Sequence, residues 1–138
     1  MKITRQEASD MFTALLKCKT IPADFKFSYA VAKNIDKLMS IHKQTDKKRF
    51  PEQTERMKEF YIEIQKIKTE DKQEYEKQAN DIEAQFPDVK ETFTKHNEFL
   101  SAYLSEEVEF DPYKIKDERL LPDKITPEQV QSMLFMIE

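Results

Sequence analysis

Apolar residues recur at intervals of three and four along most of the chain, which is the spacing of amphipathic helices. Thr4 precedes the first such run and Glu7 follows three residues later, a pattern typical of a capping box at a helix start. Asp24 or Ser28 can cap the second run. Pro22 separates the two runs, because the residue before proline disfavours helical backbone. The predicted helices are residues 5–19 and 24–47.

The longest apolar stripe covers residues 52–85 and is interrupted at Asp71. One helix of that length would extend about 50 Å, whereas a globule of this chain length has a radius of gyration of about 14 Å. Three alternatives remain open. The helix breaks near Thr69-Glu70-Asp71, it projects, or it pairs with a second copy of the chain.

Helical spacing returns over residues 88–105 and is then lost. In the following arm, residues 107–122, Val108 and Phe110 alternate with acidic residues, which favours extended backbone. Met1–Thr4 is the other extended candidate, so the two segments can pair as one short two-stranded element.

A final helix begins where Thr126 is followed by Pro127 and, two residues later, Gln129, a strong start signal. This helix is predicted over residues 127–137. The fold class that follows is all-α, with four to five helices, a long central helix or helical hairpin, and at most one short two-stranded β element. We expect a single helical domain over residues 1–138.

The chain contains no glycine. This excludes the glycine-rich phosphate loops of P-loop and dinucleotide-binding proteins and the nucleophile elbow of α/β-hydrolases. The single cysteine, Cys18, can form no disulfide within the chain and is expected to be a small buried residue. No apolar run approaches the roughly 20 residues of a membrane span, and no signal-peptide pattern is seen, so we expect an intracellular protein without membrane contact.

The net charge of −4 is unevenly distributed. Residues 1–50 hold 11 Lys and Arg against 5 Asp and Glu, whereas residues 51–138 hold 12 against 22. Such asymmetry indicates either a basic face for an acidic partner or two halves that neutralise each other. The apolar stripes on both halves favour the second interpretation.

Catalytic chemistry finds little support in the residue types. The histidines are His42 and His96, and His42 lies on the apolar face of the second helix, where a hydrogen-bonded core histidine is typical. A Cys18–His42 pair lacks any feature that would lower the thiol pKa or supply an oxyanion hole. Adjacent acidic residues on a helix point in different directions, so such pairs are expected to be solvent-exposed surface residues and not paired catalytic carboxylates. These acidic pairs are Glu70-Asp71, Glu106-Glu107 and Asp117-Glu118. We therefore expect no catalytic residue, no metal, no cofactor and no enzyme.

Lysines on the second helix, with the basic residues at its end, form a basic strip that is the best nucleic-acid candidate, because phosphate binding requires little more than charge. The basic strip comprises Lys33, Lys37, Lys43, Lys47, Lys48 and Arg49. Cations at a helix end also oppose the helix dipole favourably, and the acidic second half repels a polyanion. Nucleic acid is therefore the alternative partner and not the leading one.

Five aromatic residues are concentrated near the C-terminus, and any that remain exposed among acids would form a docking surface. This aromatic set comprises Phe99, Tyr103, Phe110, Tyr113 and Phe135. The long third helix is a second candidate surface, through coiled-coil-like pairing.

Several segments carry a resemblance to known proteins. They are 27–38, 104–110, 115–123, 125–130 and 136–138. Together they resemble small uncharacterised helical proteins of tailed bacteriophages and prophages. The resemblance implies a phage-associated, non-enzymatic role in the cytoplasm of a bacterial or phage-infected host cell. It transfers no functional residues.

The sequence therefore predicts a non-enzymatic protein–protein interaction protein, such as an assembly factor, an adaptor or an inhibitor of a host protein. Its partner is another protein or a second copy of the chain, as a homodimer. The alternative is a nucleic-acid-binding protein that uses the basic strip.

Overall fold

Helices dominate the part of the chain that the computed structural model describes, namely residues 1–117, 119 and 121–137. Within it, the α-helices are α1 (Arg5–Cys18), α2 (Phe25–Lys47), α3 (Glu55–Gln65), α4 (Lys72–Gln85), α5 (Pro87–Leu104) and α6 (Pro127–Met133). The strands are β1 (Lys2–Thr4) and β2 (Glu107–Glu109), and a 3-10 helix covers Leu134–Met136. The predicted class, all-α with one short two-stranded element, is confirmed.

Side-chain caps set most helix starts, as the sequence predicted. The Thr4 hydroxyl accepts the Glu7 N–H at 3.1 Å. Asp24, and not Ser28, caps α2. The final helix has a complete capping box, in which the side chain of Thr126 and that of Gln129 each accept a backbone N–H of the other residue, at 3.2 and 3.0 Å. These bonds satisfy backbone donors that a helix start otherwise leaves open.

Residues 52–85 form two helices, so the alternative of a break near Asp71 is confirmed and a single continuous helix is wrong. The carboxylate of Asp71 accepts the N–H groups of Gln73 and Glu74 at 2.9 and 3.1 Å, which starts α4. Thr54 caps α3 in the same way, so this helix begins at Glu55 and not at residue 52.

Contacts between residues divide the chain into two compact units. The first unit comprises Met1–Lys48 and Ala102–Glu138, and the second comprises Arg49–Ser101. The single domain predicted over residues 1–138 stays a prediction.

The first unit is built on the pair α1 and α2, with the sheet and α6 packed around it. Strands β1 and β2 are antiparallel, with Ile3 opposite Val108 and Lys2 opposite Glu109. The predicted pairing of the N-terminal segment with the arm is therefore confirmed. The buried core comprises Ile3, Ala8, Phe12, Leu15, Cys18, Phe27, Ala30, Val31, Ile35, Leu38, Phe110, Ile115, Met133 and Met136.

A wholly buried amide, Asn34 on α2, ties the chain after β2 to the core. Its Nδ2 donates to the Tyr113 carbonyl at 2.8 Å, and its Oδ1 accepts the Tyr113 N–H at 2.8 Å. Nδ2 also donates to the Ala30 carbonyl at 2.9 Å. The side chain thus pairs with Tyr113 as the backbone of a neighbouring strand would.

The second unit has a small core of Met57, Phe86 and Val89. Helix α4 contributes no buried residue, although Ile82 packs against this core in part. The unit also contains a buried polar atom, since Nε2 of His96 has no hydrogen-bond partner among the described residues.

Candidate functional site

The first unit has a cleft of about 450 Å³ lined by the start of α2 and by residues 113–117. Three aromatic rings stand along it. The ring centroids of Phe25 and Tyr29 are 5.7 Å apart, and those of Tyr29 and Tyr113 are 5.4 Å apart with an interplanar angle of 75°. Phe25 is 78% exposed, Tyr29 38% and Tyr113 41%, so each ring offers surface to a ligand.

Helical periodicity positions two of these rings. Phe25 and Tyr29 are four residues apart in the first turns of α2, which places them on one face. Phe27 lies between them in sequence and Ala30 follows Tyr29. Both are buried, so the opposite face of α2 packs in the core. The third ring, Tyr113, is held at the cleft because its backbone is bonded to Asn34 on the same helix.

Lysines form a basic rim around the aromatic rings. Lys26, Lys114 and Lys116 line the cleft, and all three are exposed. The ammonium of Lys33 lies 5.6 Å from the centroid of the Tyr29 ring, within cation–π range. The rim therefore combines apolar surface with positive charge.

One carboxylate in the cleft lining, Asp117, is already engaged. Both of its oxygens accept hydrogen bonds from the guanidinium of Arg119, each at 3.0 Å. These bonds, with the Arg119 N–H and the nearby charge of Lys26, hold the pKa of Asp117 below its usual range. Asp117 stays ionised but its charge is partly balanced by Arg119, so the cleft favours anionic groups. The arrangement suits recognition of an apolar side chain flanked by carboxylates.

The residues of the predicted aromatic set do not form one exposed surface. Phe110 is buried and its ring packs against that of Phe135, with centroids 5.7 Å apart. Tyr103 is half-buried beneath the guanidinium of an arginine. Phe99 is exposed and belongs to the second unit. Tyr113 is the member of the set that lines the cleft.

Sequence reasoning missed most of the cleft. Phe25, Tyr29, Lys26, Lys114 and Lys116 were not singled out. One signal was present, because Phe25 and Tyr29 are aromatic residues at helical spacing that lie off the apolar stripe of α2. The contribution of the two later lysines depends on a contact across the fold, which no local pattern reveals.

The lysines of the basic strip are exposed, but some are used within the protein. The Lys37 ammonium donates to the Asp111 carbonyl at 2.8 Å, and Lys33 lies over Tyr29. Arg49 belongs to the second unit. Two lysines of the basic strip therefore already contact other residues of the first unit, and the strip stays a predicted nucleic-acid site.

The cysteine and histidine considered as a catalytic pair have other surroundings. Cys18 is buried, which raises the pKa of its thiol. Nδ1 of His42 is 3.0 Å from the Ser9 hydroxyl, and its ring stacks on Phe12 with centroids 4.3 Å apart. His42 is thus the hydrogen-bonded histidine of an apolar face that the sequence predicted.

A second cleft in the first unit, of about 500 Å³, lies beside α1 and α6. It lacks aromatic residues, and charges of both signs line it, including Asp10, Lys17 and Glu128. Such a mixed polar lining gives no preference for one class of ligand.

A metal site would need several acidic, histidine or cysteine side chains close together. Residues 1–117, 119 and 121–137 contain no group of three or more such side chains that could hold an ion. Glu118 of the predicted acidic pair Asp117-Glu118 lies outside the described residues. Over the same residues, every helix is too short or too polar to cross a membrane.

Comparison with known proteins identifies no similar protein. No protein-family model, no curated protein and no solved structure matches the chain. The geometry of the cleft therefore carries the functional argument.

Proposed function

We propose that the chain is a non-enzymatic protein–protein interaction protein that binds an acidic segment of its partner in the cleft of the first unit. The observation that carries the proposal is the row of exposed rings, Phe25, Tyr29 and Tyr113, beside a rim of lysines. Aromatic residues dominate binding hot spots, and charge of one sign steers and selects a partner of the opposite sign. An assembly factor, an adaptor or an inhibitor of a host protein, the roles suggested by the resemblance to phage proteins, each needs such a surface.

The ring geometry favours a protein over a nucleic acid. Single-stranded nucleic acids stack successive bases on the faces of aromatic side chains. Tyr29 and Tyr113 meet edge to face at 75°, so together they form two walls of a pocket and not a continuous stacking platform. Such walls suit one inserted apolar side chain. Nucleic acid is retained as the competing outcome of the test.

Fluorescence anisotropy with defined probes tests the proposal. The first probe is a labelled seven-residue peptide in which Glu alternates with apolar residues, with Phe at its centre. The second carries Lys in place of each Glu, and the third is a labelled oligouridine. We expect saturable binding of the acidic peptide, little binding of the basic one, and an affinity about tenfold lower for Phe25→Ala, the loss typical of one hot-spot side chain.

Phe50 supplies a matched control for Phe25. Its side chain is 79% exposed against 78% for Phe25, but it lies outside the cleft, in the second unit. Phe50→Ala should therefore bind the acidic peptide like the unaltered protein. Equal affinity for the acidic and basic peptides, or equal effects of the two alanine variants, would contradict the proposal. Tighter binding of oligouridine than of the acidic peptide would favour the nucleic-acid alternative.

A further inference from the structure

The segment that closes the cleft, residues 113–117, uses one of its two edges for hydrogen bonds within the protein. The N–H and C=O of Tyr113 are both bonded to the side chain of Asn34. The Ile115 N–H donates to the Met136 carbonyl at 2.6 Å, and Ile115 forms a parallel bridge with Ile137. Tyr113 and Ile115 are two residues apart, and both bond inward to buried residues, which is characteristic of extended chain.

The opposite edge of this segment is open. In extended chain, neighbouring residues direct their backbone groups to opposite edges, so the N–H and C=O of Lys114 and Lys116 point away from the inner bonds. Neither residue's backbone forms a hydrogen bond with any residue that the structure describes. Both lysines line the cleft. An edge of unpaired backbone groups therefore borders the aromatic rings.

We propose that the acidic segment of the partner binds in extended form, as a β-strand added to the open edge at Lys114 and Lys116. This inference rests on the proposed function and deepens it by giving the conformation of the bound segment. In strand addition, main-chain bonds supply affinity and pockets for alternate side chains supply specificity. The aromatic cleft is the pocket in this case.

The side-chain alternation of a strand explains why an acidic and apolar pattern fits. Lys114 and Lys116 point to one face of the segment, and Tyr113 with Ile115 to the other. In an added strand, the partner residues directly opposite Lys114 and Lys116 lie on the same face as these lysines, and residues of opposite charge pair favourably there. The residue between them falls on the face of Tyr113. Acidic residues opposite the lysines and an apolar residue between them match both surfaces.

The sheet within this chain already shows the same complementarity. Strand β2 alternates Glu and Val, and it pairs with a strand in which Lys2 lies opposite Glu109 and Ile3 opposite Val108. A second copy of residues 113–117 would instead place lysine against lysine, which is destabilising. Lysines on an edge protect it from self-pairing. The open edge therefore excludes its own copy and admits an acidic strand.

Backbone methylation of the peptide probe tests strand addition. Two versions of the acidic seven-residue peptide carry N-methyl groups, one on each Glu and the other on each apolar residue. These groups lie on opposite edges of an extended peptide. We expect one version to lose binding at least tenfold and the other to bind within about twofold of the unmodified peptide. If the peptide methylated on its Glu residues loses binding, the added strand is antiparallel. If the peptide methylated on its apolar residues loses binding, the added strand is parallel.

A pair of variants tests the same edge from the protein side. Lys116→Pro removes both the charge and the N–H donor, whereas Lys116→Ala removes the charge alone. We expect the proline variant to bind the peptide several-fold more weakly than the alanine variant, with thermal unfolding used to confirm that both are folded.

The outcomes separate this inference from the function on which it rests. If both methylated peptides bind like the unmodified one, strand addition is overturned while binding in the cleft stands. If the unmodified acidic peptide fails to bind, both are overturned. Equal losses for both methylated peptides, with equal affinities of the proline and alanine variants, would likewise contradict strand addition.

Discussion

Asn34 is the residue that joins the core of the first unit to the cleft. A buried amide is costly unless its donors and acceptor are satisfied. Here they are, by the backbone of Tyr113 and of Ala30. Because the same bonds fix the position of Tyr113, the buried network and the proposed binding surface depend on one side chain.

Replacing this amide should lower both stability and binding. Asn34→Leu keeps a similar volume but leaves the N–H and C=O of Tyr113 without their partner. We expect the free energy of unfolding to fall by about 2 kcal/mol, as for a buried hydrogen-bonding group that loses its partner. Urea denaturation measures this, and the acidic peptide should bind more weakly.

Asn80 on α4 provides the control for that change. It is exposed, and Asn80→Leu should alter stability by no more than about 0.5 kcal/mol. An Asn34→Leu variant as stable as this control would show that the pairing with Tyr113 contributes nothing.

Local patterns predicted single residues well where the partner is near in sequence. The caps at Thr4 and Thr126 follow from neighbours on the same helix, and the burial of Cys18 follows from its residue type. His42 was predicted to be hydrogen-bonded from its position on an apolar face, but its partner Ser9, 33 residues away, was not identified. The role of Asn34 does not follow from a local pattern, since its partner lies 79 residues away. Phe110 shows the same limit, because nothing local distinguishes a core aromatic residue from an exposed one.

At the scale of elements, most helix starts and the pairing of the two short strands were predictable, whereas the break in residues 52–85 was only one of three alternatives. Asp71 interrupts an apolar stripe and can cap a helix, so the break before α4 was visible as one alternative. Which lysines and rings meet at the cleft depends on how residues 113–117 return to α2. That arrangement comes from tertiary packing, which periodicity does not encode.

Within the second unit, an ion pair connects α3 to the start of α5. Arg56 donates to both oxygens of Asp88, at 3.0 and 3.2 Å, and its guanidinium lies 4.4 Å from the centroid of the Phe86 ring. The hydrogen bond from Arg56 holds the pKa of Asp88 below its usual range. A carboxyl group whose pKa is lowered by folding stabilises the folded state above its unfolded pKa.

The contribution of this pair should therefore depend on pH. It is complete at neutral pH and is lost in acid, as the pH falls through the lowered pKa of folded Asp88. In a double-mutant cycle of Arg56→Gln and Asp88→Asn, we expect a favourable coupling at neutral pH that disappears in acid. Thermal unfolding at each pH measures the coupling.

Asp81→Asn tests whether the pH effect is specific. Asp81 is exposed on α4 and forms no ion pair among the described residues, so its variant should show no such coupling to Arg56→Gln. A coupling between Arg56 and Asp88 that persists unchanged in acid would mean that another group carries it.

At the scale of the whole molecule, the charge asymmetry acquires a structural meaning. Residues 1–48 hold 10 basic and 5 acidic residues, and residues 102–138 hold 4 and 9, so together they are neutral. These two stretches form the first unit. The first unit is thus neutral by its sequence, and the lysines of the cleft are a local excess of positive charge on it. Whether residues 1–50 and 51–138 neutralise each other as two halves stays a prediction.

The central claim is that an acidic segment binds at the aromatic cleft and its open edge. The most direct measurement is an amide proton–nitrogen correlation spectrum of the labelled full chain during titration with the acidic peptide. We predict that the largest shifts occur at Phe25, Tyr29 and residues 113–117, with small changes across α4. Shifts concentrated on α4, or on the lysines of the basic strip beyond Lys37, would contradict the account.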